Sequence, residues 1–493
     1  MKYQSTRGNA AGIESAEAIL EGLAGDGGLF VPEELPQTDR SFIESLAALP
    51  YAERAAKIIG LFLTDYTTEE LLACTKAAYG GKKFDNARIA PVRSISDDSF
   101  LELWHGPTSA FKDMALQLLP QLMQTALKKT GKKEDILILV ATSGDTGKAA
   151  LEGFADVEQI KILTFYPEGG VSDIQRLQMV TQQGKNVEVI AVKGNFDDAQ
   201  NGVKKIFNDA AFAGELKAEG VELSSANSIN WGRLVPQIVY YFTSYIDLVA
   251  EGRITADEVL DYTVPTGNFG DILAGYYAKR MGLPVGRLVC AANDNNVLAD
   301  FLTTGIYDRN RDFHKTISPS MDILISSNLE RLLYHVAGSE KTTAWMAELA
   351  ATGRYQADAE TMSTIRETFR AGWADQSATR AAIQSVYEKD NYVLDPHTAV
   401  AYRVAQDYIK AERSRTKMVI VSTASPYKFN DTVLAALDKD VPKDPMEALT
   451  ALSNIADAPI PAGLASLKNA EELHRTVVEK SEMQRAVAAF ARK

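Results

Sequence analysis

The segment ILILVATSGDTGKAAL, residues 136–151, contains a candidate strand, a loop and the start of a candidate helix in direct succession. Its apolar run at 136–140 has the length of a buried strand, and an amphipathic helical run begins at Lys148. Similar apolar runs alternate with helical patterns elsewhere, at 101–104, 162–165, 187–192, 262–264, 288–291 and 418–421. Because strands that alternate with helices indicate βαβ units, we expect an α/β fold with parallel sheets.

Composition limits the possible partners. The chain has 493 residues, which is too long for one hydrophobic core of ordinary size, and no apolar run is long enough to cross a bilayer. A formal net charge of −13, without a basic run interleaved with aromatics, predicts neither nucleic acid nor a membrane as a partner. The start of the chain lacks the pattern of a secretory signal, and Cys74 and Cys290 lie far apart. We therefore predict a cytoplasmic protein with two buried thiols and no metal site.

Two loops have the composition of anion-binding sites. Residues 141–147 and 265–271 each join a strand to a helix and contain two glycines. Free backbone amides and the helix dipole at such a junction suit a phosphate or carboxylate, although the hydroxyls of the first loop could simply cap its helix. Gly147-Lys148 also half resembles a P-loop. Thr142 and Ala149 occupy positions where that motif needs Gly and Ser or Thr, which disfavours a nucleotide site.

Lys112 is the candidate reactive amine. It follows WHGPTSAF at residues 104–111 and precedes apolar residues at helical spacing, which predicts a helix start at Lys112 and a kink or break at Pro120. A cation is disfavoured at a helix N-terminus, which lowers its pKa and suits an amine that forms imines, although most lysines are simply exposed. A further loop, STASPYKF at 422–429, offers hydroxyls that could meet a ring nitrogen or cap the next turn.

Taken in order, these segments resemble the threonine synthase family of fold-type II pyridoxal-phosphate enzymes, which are related to the tryptophan synthase β chain. The resemblance rests on HGPTSAFKD at 105–113, the loop at 142–147, GNFG at 267–270 and TASP at 423–426. Further matches are DGGLFVP at 26–32, GNFDD at 194–198 and SANSINWGR at 225–233, so the resemblance extends from the first tens of residues to about residue 430.

The resemblance implies an architecture with two parallel-type α/β domains. The smaller domain would comprise residues 99–240 and the larger one residues 241–440. The pattern of the sequence itself predicts a mainly helical N-terminal region at residues 1–98, including an amphipathic helix at 67–78. The same kind of pattern predicts a helical tail at residues 441–493, beyond the end of the resemblance.

The resemblance also implies a set of site residues. Lys112 would form an imine with pyridoxal phosphate. The other cofactor ligands would be Gly267, Asn268, Phe269 and Gly270 at the phosphate, Thr423 at the pyridine nitrogen and Asp145 near the 3-hydroxyl. The substrate ligands would be Thr142, Ser143 and Thr146 at the carboxylate and Asn227, Ser228 and Arg233 at the leaving phosphate.

The implied reaction converts O-phospho-L-homoserine and water to L-threonine and phosphate, the last step of threonine biosynthesis, in a monomer or small homo-oligomer. A phospho-lyase or dehydratase of the same fold that yields 2-oxobutyrate is the nearest alternative, and a dehydratase should not need the second phosphate site around Arg233. A P-loop nucleotide-binding protein and a non-catalytic binder are the alternatives from other classes. His105 is either a proton carrier or a residue that holds its turn.

Overall fold

The computed structural model describes residues 1–456 and 458–493, and the side chain of Asp197 lies outside that description. Helices and strands alternate along most of the chain, as the α/β prediction requires. The strands are β1 (Tyr3–Ser5), β2 (Phe30–Pro32), β3 (Val92–Ile95), β4 (Asp98–Glu102), β5 (Asp135–Ala141), β6 (Ile160–Pro167), β7 (Val187–Val192), β8 (Val221–Ser224), β9 (Leu260–Pro265), β10 (Val285–Ala292), β11 (Ile306–Asp308), β12 (Arg354–Gln356), β13 (Phe369–Trp373), β14 (Lys417–Ser422) and β15 (Thr476–Val478).

The helices cover both faces of the sheets. They are α1 (Ser15–Glu21), α2 (Arg40–Ser45), α3 (Tyr51–Gly60), α4 (Thr68–Tyr79), α5 (Asp113–Leu116), α6 (Leu119–Thr130), α7 (Asp145–Phe154), α8 (Asp173–Val180), α9 (Phe196–Phe207), α10 (Ala210–Ala218), α11 (Trp231–Ala250), α12 (Gly270–Met281), α13 (Val297–Thr304), α14 (Leu329–Thr352), α15 (Ala359–Thr368), α16 (Gln376–Asp390), α17 (Pro396–Glu412), α18 (Asn430–Ala436), α19 (Pro445–Ser453), α20 (Ala462–Ala465) and α21 (Met483–Ala491). No helix among these combines the length and the apolar character that a bilayer-crossing segment would need.

The larger sheet brings three of the candidate loops together. Its strand order is β13-β10-β9-β14-β4-β3, and all neighbours are parallel except the antiparallel pair β3–β4. β14 lies between β9 and β4, with Val421 opposite Leu101 and Ile420 opposite Thr263. Because parallel strands end at the same edge, the loops that follow β4, β9 and β14 begin side by side.

The smaller sheet carries the fourth loop. Its order is β15-β7-β6-β5-β8, with every pair parallel, and the loop at 142–147 follows β5 near the middle of this sheet. β15 comes from the C-terminal tail and extends the sheet beyond β7. The α21 side chains Met483, Val487 and Phe490 pack into the same apolar cluster as Leu139.

α11 links these layers through the protein interior. It is buried from Trp231 through Leu248 on every side, as expected of a helix surrounded by protein, although this stretch includes charged and polar residues such as Arg233 and Gln237. Arg233 occupies its first turn and is therefore drawn into the core.

The structure confirms most of the predicted elements and corrects several. The predicted strand at 101–104 is wrong at its end, since β4 stops at Glu102. The break at Pro120 is confirmed: α5 ends at Leu116, and Pro120 lies in the first turn of α6. The tail is only partly helical, because it also contributes β15. Cys74 and Cys290 are both buried, as predicted.

The domain boundaries at residues 98, 240 and 440 stay predictions. The membership of strands in the two larger sheets does not change at each of these three boundaries. β4 lies within 99–240 but belongs to the larger sheet, and β15 lies in the tail but belongs to the smaller one. Non-local pairing decides these memberships.

Candidate active site

A buried histidine holds the turn that precedes Lys112. His105 follows β4, with its Nδ1 2.6 Å from Asp85 Oδ1 and its Nε2 2.9 Å from Glu102 Oε2. Glu102 also accepts a 2.7 Å hydrogen bond from the Tyr392 hydroxyl. Burial lowers the pKa of His105, but the hydrogen bonds to Asp85 and Glu102 outweigh it and raise the pKa to about 9. The imidazolium is thus fixed between two carboxylates, which favours the turn-holding role over the proton carrier.

A second buried carboxylate shapes the loop itself. Asp113 accepts hydrogen bonds from the backbone N–H and the hydroxyl of Thr108, both at 2.8 Å. Gly106 passes so close that a β-carbon there would lie 2.5 Å from Asp113 Oδ2. Ala110 then forms a β-bridge with Ala424, just beyond β14. The backbone on either side of Lys112 is therefore held in place.

Lys112 itself has no strong partner. It immediately precedes α5, and no hydrogen-bond acceptor for its Nζ occurs within residues 1–456 and 458–493. Its Nζ lies 4.9 Å from the centre of the Phe111 ring and 3.9 Å from Asp145 Oδ2. Burial lowers the pKa of Lys112 to about 8, the charge of Asp145 opposes this change, and the charge of Lys428 adds to it. About half of these amines are consequently neutral at pH 8, as a nucleophilic amine requires.

Asp145 is held by other partners. It begins α7 and is 4% exposed. Lys428 Nζ lies 2.6 Å from Asp145 Oδ1, and Gln175 Nε2 donates to the same oxygen at 3.0 Å. Ser320 Oγ donates to Oδ2 at 3.1 Å. Burial raises the pKa of Asp145, but the charges of Lys428 and Lys112 outweigh it and hold the pKa well below its usual range. Asp145 is therefore an ionised carboxylate whose two oxygens already have donors.

The loop at 142–147 has one structural hydroxyl and two free ones. Thr142 Oγ1 accepts hydrogen bonds from the backbone N–H groups of Gly144 and Gly147, both at 2.9 Å. Thr142 therefore holds the loop, which is the capping alternative, and keeps only its hydroxyl hydrogen for a ligand. Ser143 and Thr146 are partly exposed, and their hydroxyls lack a partner in the described chain. They are free to bind a ligand, and their assignment to the substrate carboxylate stays a prediction.

The loop between β9 and α12 forms a cradle of backbone amides. In the part of the chain that the structure describes, no acceptor is found for the N–H groups of Gly267, Asn268, Phe269 and Gly270. Phe269 adopts a positive φ of 57°, which turns the chain into the helix start. A β-carbon at Gly267 would lie 3.2 Å from Ser320 O and from Met321 Cα. The predicted phosphate loop thus has unpaired donors at a helix N-terminus, where an anion is favoured.

Thr423 follows β14 beside the Lys112 loop. The backbone carbonyl of Thr423 accepts a 2.8 Å hydrogen bond from the N–H of Phe111. Because Phe111 directly precedes Lys112, Thr423 lies beside the Lys112 backbone. Its hydroxyl is nearly buried and has no partner among the described residues. A hydroxyl in this position can meet a ring nitrogen, so the structure fits the prediction without testing it.

Arg233 is a buried cation without a carboxylate. It is 3% exposed, its guanidinium donates to Ala226 O, and its Nε has no partner among the described residues. Burial lowers the pKa of Arg233 to about 10, and its charge in turn lowers the pKa of Lys112. Asn227 and Ser228 lie in the same segment, and their partly exposed side chains have no hydrogen-bond partner among residues 1–456 and 458–493. An uncompensated buried cation is costly, and a bound anion would offset that cost.

Short contacts connect these groups into one site. Ser320 lies against Gly267 and donates to Asp145, which in turn lies near Lys112. Asn328 donates from its backbone to Asn268 O at 3.4 Å and from its side chain to Ser228 O at 3.1 Å. The amine, the two anion-binding segments and the hydroxyl loop therefore form one cluster.

This cluster fits pyridoxal phosphate. A phosphate would complete the unpaired amides of 267–270, a ring nitrogen would complete the Thr423 hydroxyl, and an aldehyde would meet the unpaired amine of Lys112. Asp145 fits a position near the cofactor as an anion, and it needs no shared proton because Lys428 already compensates its charge. The donor set thus matches the chemistry of the group.

Sequence reasoning missed several supporting residues. Lys428 lies in the loop at 422–429, just after a strand of the larger sheet. That position was the only indication in the sequence that Lys428 could lie near the site. Ser320 belongs to a 3₁₀ helix, Pro319–Met321, and its backbone N–H donates to His397 Nε2 at 3.1 Å. His397 Nδ1 lies 2.8 Å from Asp395 Oδ1, so this histidine orients the Ser320 turn. No local pattern marks those contacts.

Lys148 does not support the nucleotide alternative. Its Nζ contacts Glu152 at 2.9 Å, one helical turn away, and also Gln182. The lysine that a P-loop would direct at phosphates is thus paired with a carboxylate on its own helix.

Three family models match the chain. "Threonine synthase N terminus" matches residues 2–79, "Pyridoxal-phosphate dependent enzyme" matches residues 100–425, and "Threonine synthase, C-terminal" matches residues 398–490. The third match corrects the expected limit of the resemblance, which extends to residue 490 and not only to about 430.

Relatives and solved structures agree with these matches. The chain is 39% identical over 478 residues to the threonine synthase of Pseudomonas aeruginosa, covering 96% of this chain and 94% of that protein. It is 43% identical over 435 residues to human threonine synthase-like 1, covering 86% of this chain but only 58% of that longer protein. The crystal structure of PLP-bound threonine synthase from Brucella melitensis superposes with a TM-score of 0.88 at 39% identity, and each chain is fully covered.

Proposed function

This chain belongs to the threonine synthase family of pyridoxal-phosphate-dependent enzymes, and on that premise we propose that it converts O-phospho-L-homoserine and water to L-threonine and phosphate. The chain spans about three fifths of the length of the mammalian relatives that it matches. The proposed activity therefore rests on the residues of the site and not on the names of those relatives.

The observation that carries this proposal is the second anion site. We assign the phosphate of the cofactor to the unpaired amides of 267–270. That assignment leaves the buried Arg233 without an anionic partner, so a second anion is needed. A guanidinium that is 3% exposed, with a free Nε and no carboxylate partner in the described chain, supports a second phosphate as its ligand. A substrate that carries its own phosphate supplies one, whereas a hydroxy-amino acid does not.

We assign the amine chemistry to Lys112. When bound, pyridoxal phosphate supplies an electron sink that stabilises negative charge next to the substrate amine. Lys112 would hold the cofactor and, as a free amine, remove the proton from the α carbon of the substrate. A pKa of about 8 suits both roles, because the amine then exchanges protons readily near neutral pH.

The other residues bind and orient the substrate. Ser143 and Thr146 would donate hydroxyl hydrogens to the substrate carboxylate, together with the remaining hydrogen of Thr142. Arg233, with Asn227 and Ser228, would bind the substrate phosphate and stabilise its charge as it leaves the γ carbon. A second proton must leave the β carbon before water adds there, and the α and γ carbons must each take up a proton to give threonine. The cytoplasm as location, and a monomer or small homo-oligomer as assembly, remain parts of this proposal.

Product analysis tests the proposal. We expect purified protein loaded with pyridoxal phosphate to convert O-phospho-L-homoserine to equal amounts of threonine and inorganic phosphate. A 2-oxo acid with phosphate would instead identify the phospho-lyase of the same fold. The Lys112→Ala variant should lose turnover, whereas Lys128→Ala, at an exposed lysine outside the site, should keep it. Turnover by Lys112→Ala would remove that lysine from the proposed mechanism.

A further inference from the structure

We propose that Lys428 is a positioning residue that commits the Asp145 carboxylate to an ion pair and thereby prevents it from holding Lys112 as an ammonium ion. The inference rests on the proposed function, because it takes Lys112 as the reacting amine. It assigns a purpose to a second lysine in the site, which the mechanism above does not use.

The contact geometry carries this inference. Two lysines approach the same carboxylate, but Lys428 Nζ lies 2.6 Å from Asp145 Oδ1 whereas Lys112 Nζ lies 3.9 Å from Oδ2. Only the first distance is that of a hydrogen bond. Gln175 and Ser320 donate to the remaining lone pairs at 3.0 and 3.1 Å. The carboxylate is therefore occupied by donors that take no part in the reaction.

Lys428 is fixed in this arrangement. Its side chain is fully buried, and its Nζ also donates to Thr108 O at 3.0 Å. It lies in the 3₁₀ helix Pro426–Phe429, directly after the Thr423 loop. A buried ammonium held both by Asp145 and by the loop that leads to Lys112 is a permanent partner, unlike an exposed lysine.

Charged groups face Lys112 from several elements. They are Asp145 at the start of α7, Lys428, Arg233 in α11, Asp271 in α12 and the adjacent Asp113. Burial raises the pKa of Asp271 to about 6 and that of Asp113 to about 7. Removal of Lys428 would leave Lys112 as the nearest cation to Asp145. The Asp145 carboxylate would then favour the ammonium form of Lys112. Removal of the Asp145 charge would do the opposite.

The test measures the protonation of Lys112 without turnover. Full-length protein freed of cofactor is labelled with a trace of acetic anhydride across pH 6–11, and mass spectrometry of the Lys112 peptide gives the midpoint, with exposed Lys128 as the internal reference. We compare the parent with Lys428→Met, Lys428→Arg, Asp145→Asn and the double variant Lys428→Met/Asp145→Asn. Circular dichroism checks that each variant is folded.

The two single changes should act in opposite directions. We expect Lys428→Met to raise the Lys112 midpoint and Asp145→Asn to lower it, each by about one pH unit or more. Lys428→Arg should stay near the parent, and the double variant should lie between the single ones. Shifts in the same direction, or no shift in either single variant, would overturn the inference.

The proposed function is tested separately from this inference. Borohydride reduction of the cofactor-loaded parent, followed by peptide mapping, should place the cofactor on Lys112. Attachment elsewhere would refute the assignment of Lys112, whereas correct attachment with unmoved midpoints would refute only the role of Lys428. If Lys428→Met does not fold, Lys428→Gln replaces it, because Gln lacks the charge but can still donate to Thr108 O. Its Lys112 midpoint must lie above that of the parent, and the shift must be smaller when Asp145 is replaced by Asn.

Discussion

Replacement of Arg233 by methionine should weaken catalysis and strengthen the fold at the same time. Arg233 is 3% exposed, and one nitrogen of its guanidinium is already bonded to Ala226 O. The two remaining nitrogens can serve the substrate phosphate. Each charge-assisted hydrogen bond contributes about 1.5–3 kcal/mol, so their loss should reduce kcat/KM by about two to four orders of magnitude.

The stability change has the opposite sign. Burial lowers the pKa of Arg233 to about 10, and this change corresponds to about 3 kcal/mol against the charged group in the folded state. Both folded and unfolded forms stay protonated near pH 7, so this cost persists there. Methionine removes it but leaves Ala226 O without its donor, at about 1–2 kcal/mol. We therefore expect a net gain of about 1–2 kcal/mol in the free energy of unfolding.

Urea denaturation of the cofactor-free protein in phosphate-free buffer, paired with steady-state kinetics on O-phospho-L-homoserine, measures both effects. Arg54→Met is the matched control, because Arg54 is also buried, at 8% exposure, but lies 2.7 Å from the Asp247 carboxylate. That variant should lose about 3–5 kcal/mol of stability while its folded fraction keeps kcat/KM. Lower stability in Arg233→Met together with near-normal kinetics would show that Arg233 is structural.

Three further predictions concern the rest of the site. Gly267→Val should lose pyridoxal phosphate on dialysis, because its β-carbon would lie 3.2 Å from Ser320 O, whereas Gly214→Val, where a β-carbon meets nothing within 4 Å, should retain it. Thr423→Val should weaken cofactor retention about fivefold through loss of one neutral hydrogen bond, and absorbance of the dialysed protein measures this; unchanged retention would exclude a ring-nitrogen contact. His105 has a pKa of about 9 in the fold against 6.5 in an unfolded chain, so its contribution of about 3 kcal/mol is fully present below pH 6.5 and lost as pH rises through 9. Urea midpoints of the parent should therefore fall across that range relative to those of His105→Gln, and parallel curves would contradict the prediction.

The sequence was sufficient for elements with strong local patterns. β5, β7 and β9 are apolar runs, and Thr67 provides a capping box for α4, so each lies close to its predicted position. β13 and β15 were missed because strands of five and three residues inside helical surroundings carry little periodicity. Their pairing with β10 and β7 stabilises them, and that pairing is non-local.

Site residues followed the same division. Lys112 and Arg233 could be found because each lies in a segment that resembles the family, since a position at a helix start does not by itself distinguish them from an exposed lysine or a surface ion pair. The ion pair between Asp145 and Lys428 could not, since the two residues are far apart in sequence and lysines usually lie on the surface. The part of Thr142 in holding its loop was one of two alternatives for its hydroxyl, and only the hydrogen-bond geometry shows that its oxygen accepts from Gly144 and Gly147 while its hydrogen is left for a ligand.

Charge and hydrogen bonding together explain how so acidic a chain can bind anions. A net charge of −13 repels phosphates at long range, yet the described site places Lys112 and Lys428 beside the ionised Asp145 carboxylate, and Arg233 is close enough for its charge to lower the pKa of Lys112. More than nine tenths of buried polar groups in proteins have partners, and His105, Asp113 and Asp145 conform to this rule. Among the groups that we assign to ligands, those without a partner in the described chain include the amides of 267–270, the Thr423 hydroxyl, the Lys112 amine and the Arg233 Nε. These groups lie in connected segments, and all of them are donors or cationic, so their ligands must bring the acceptors and the negative charge that the protein leaves out.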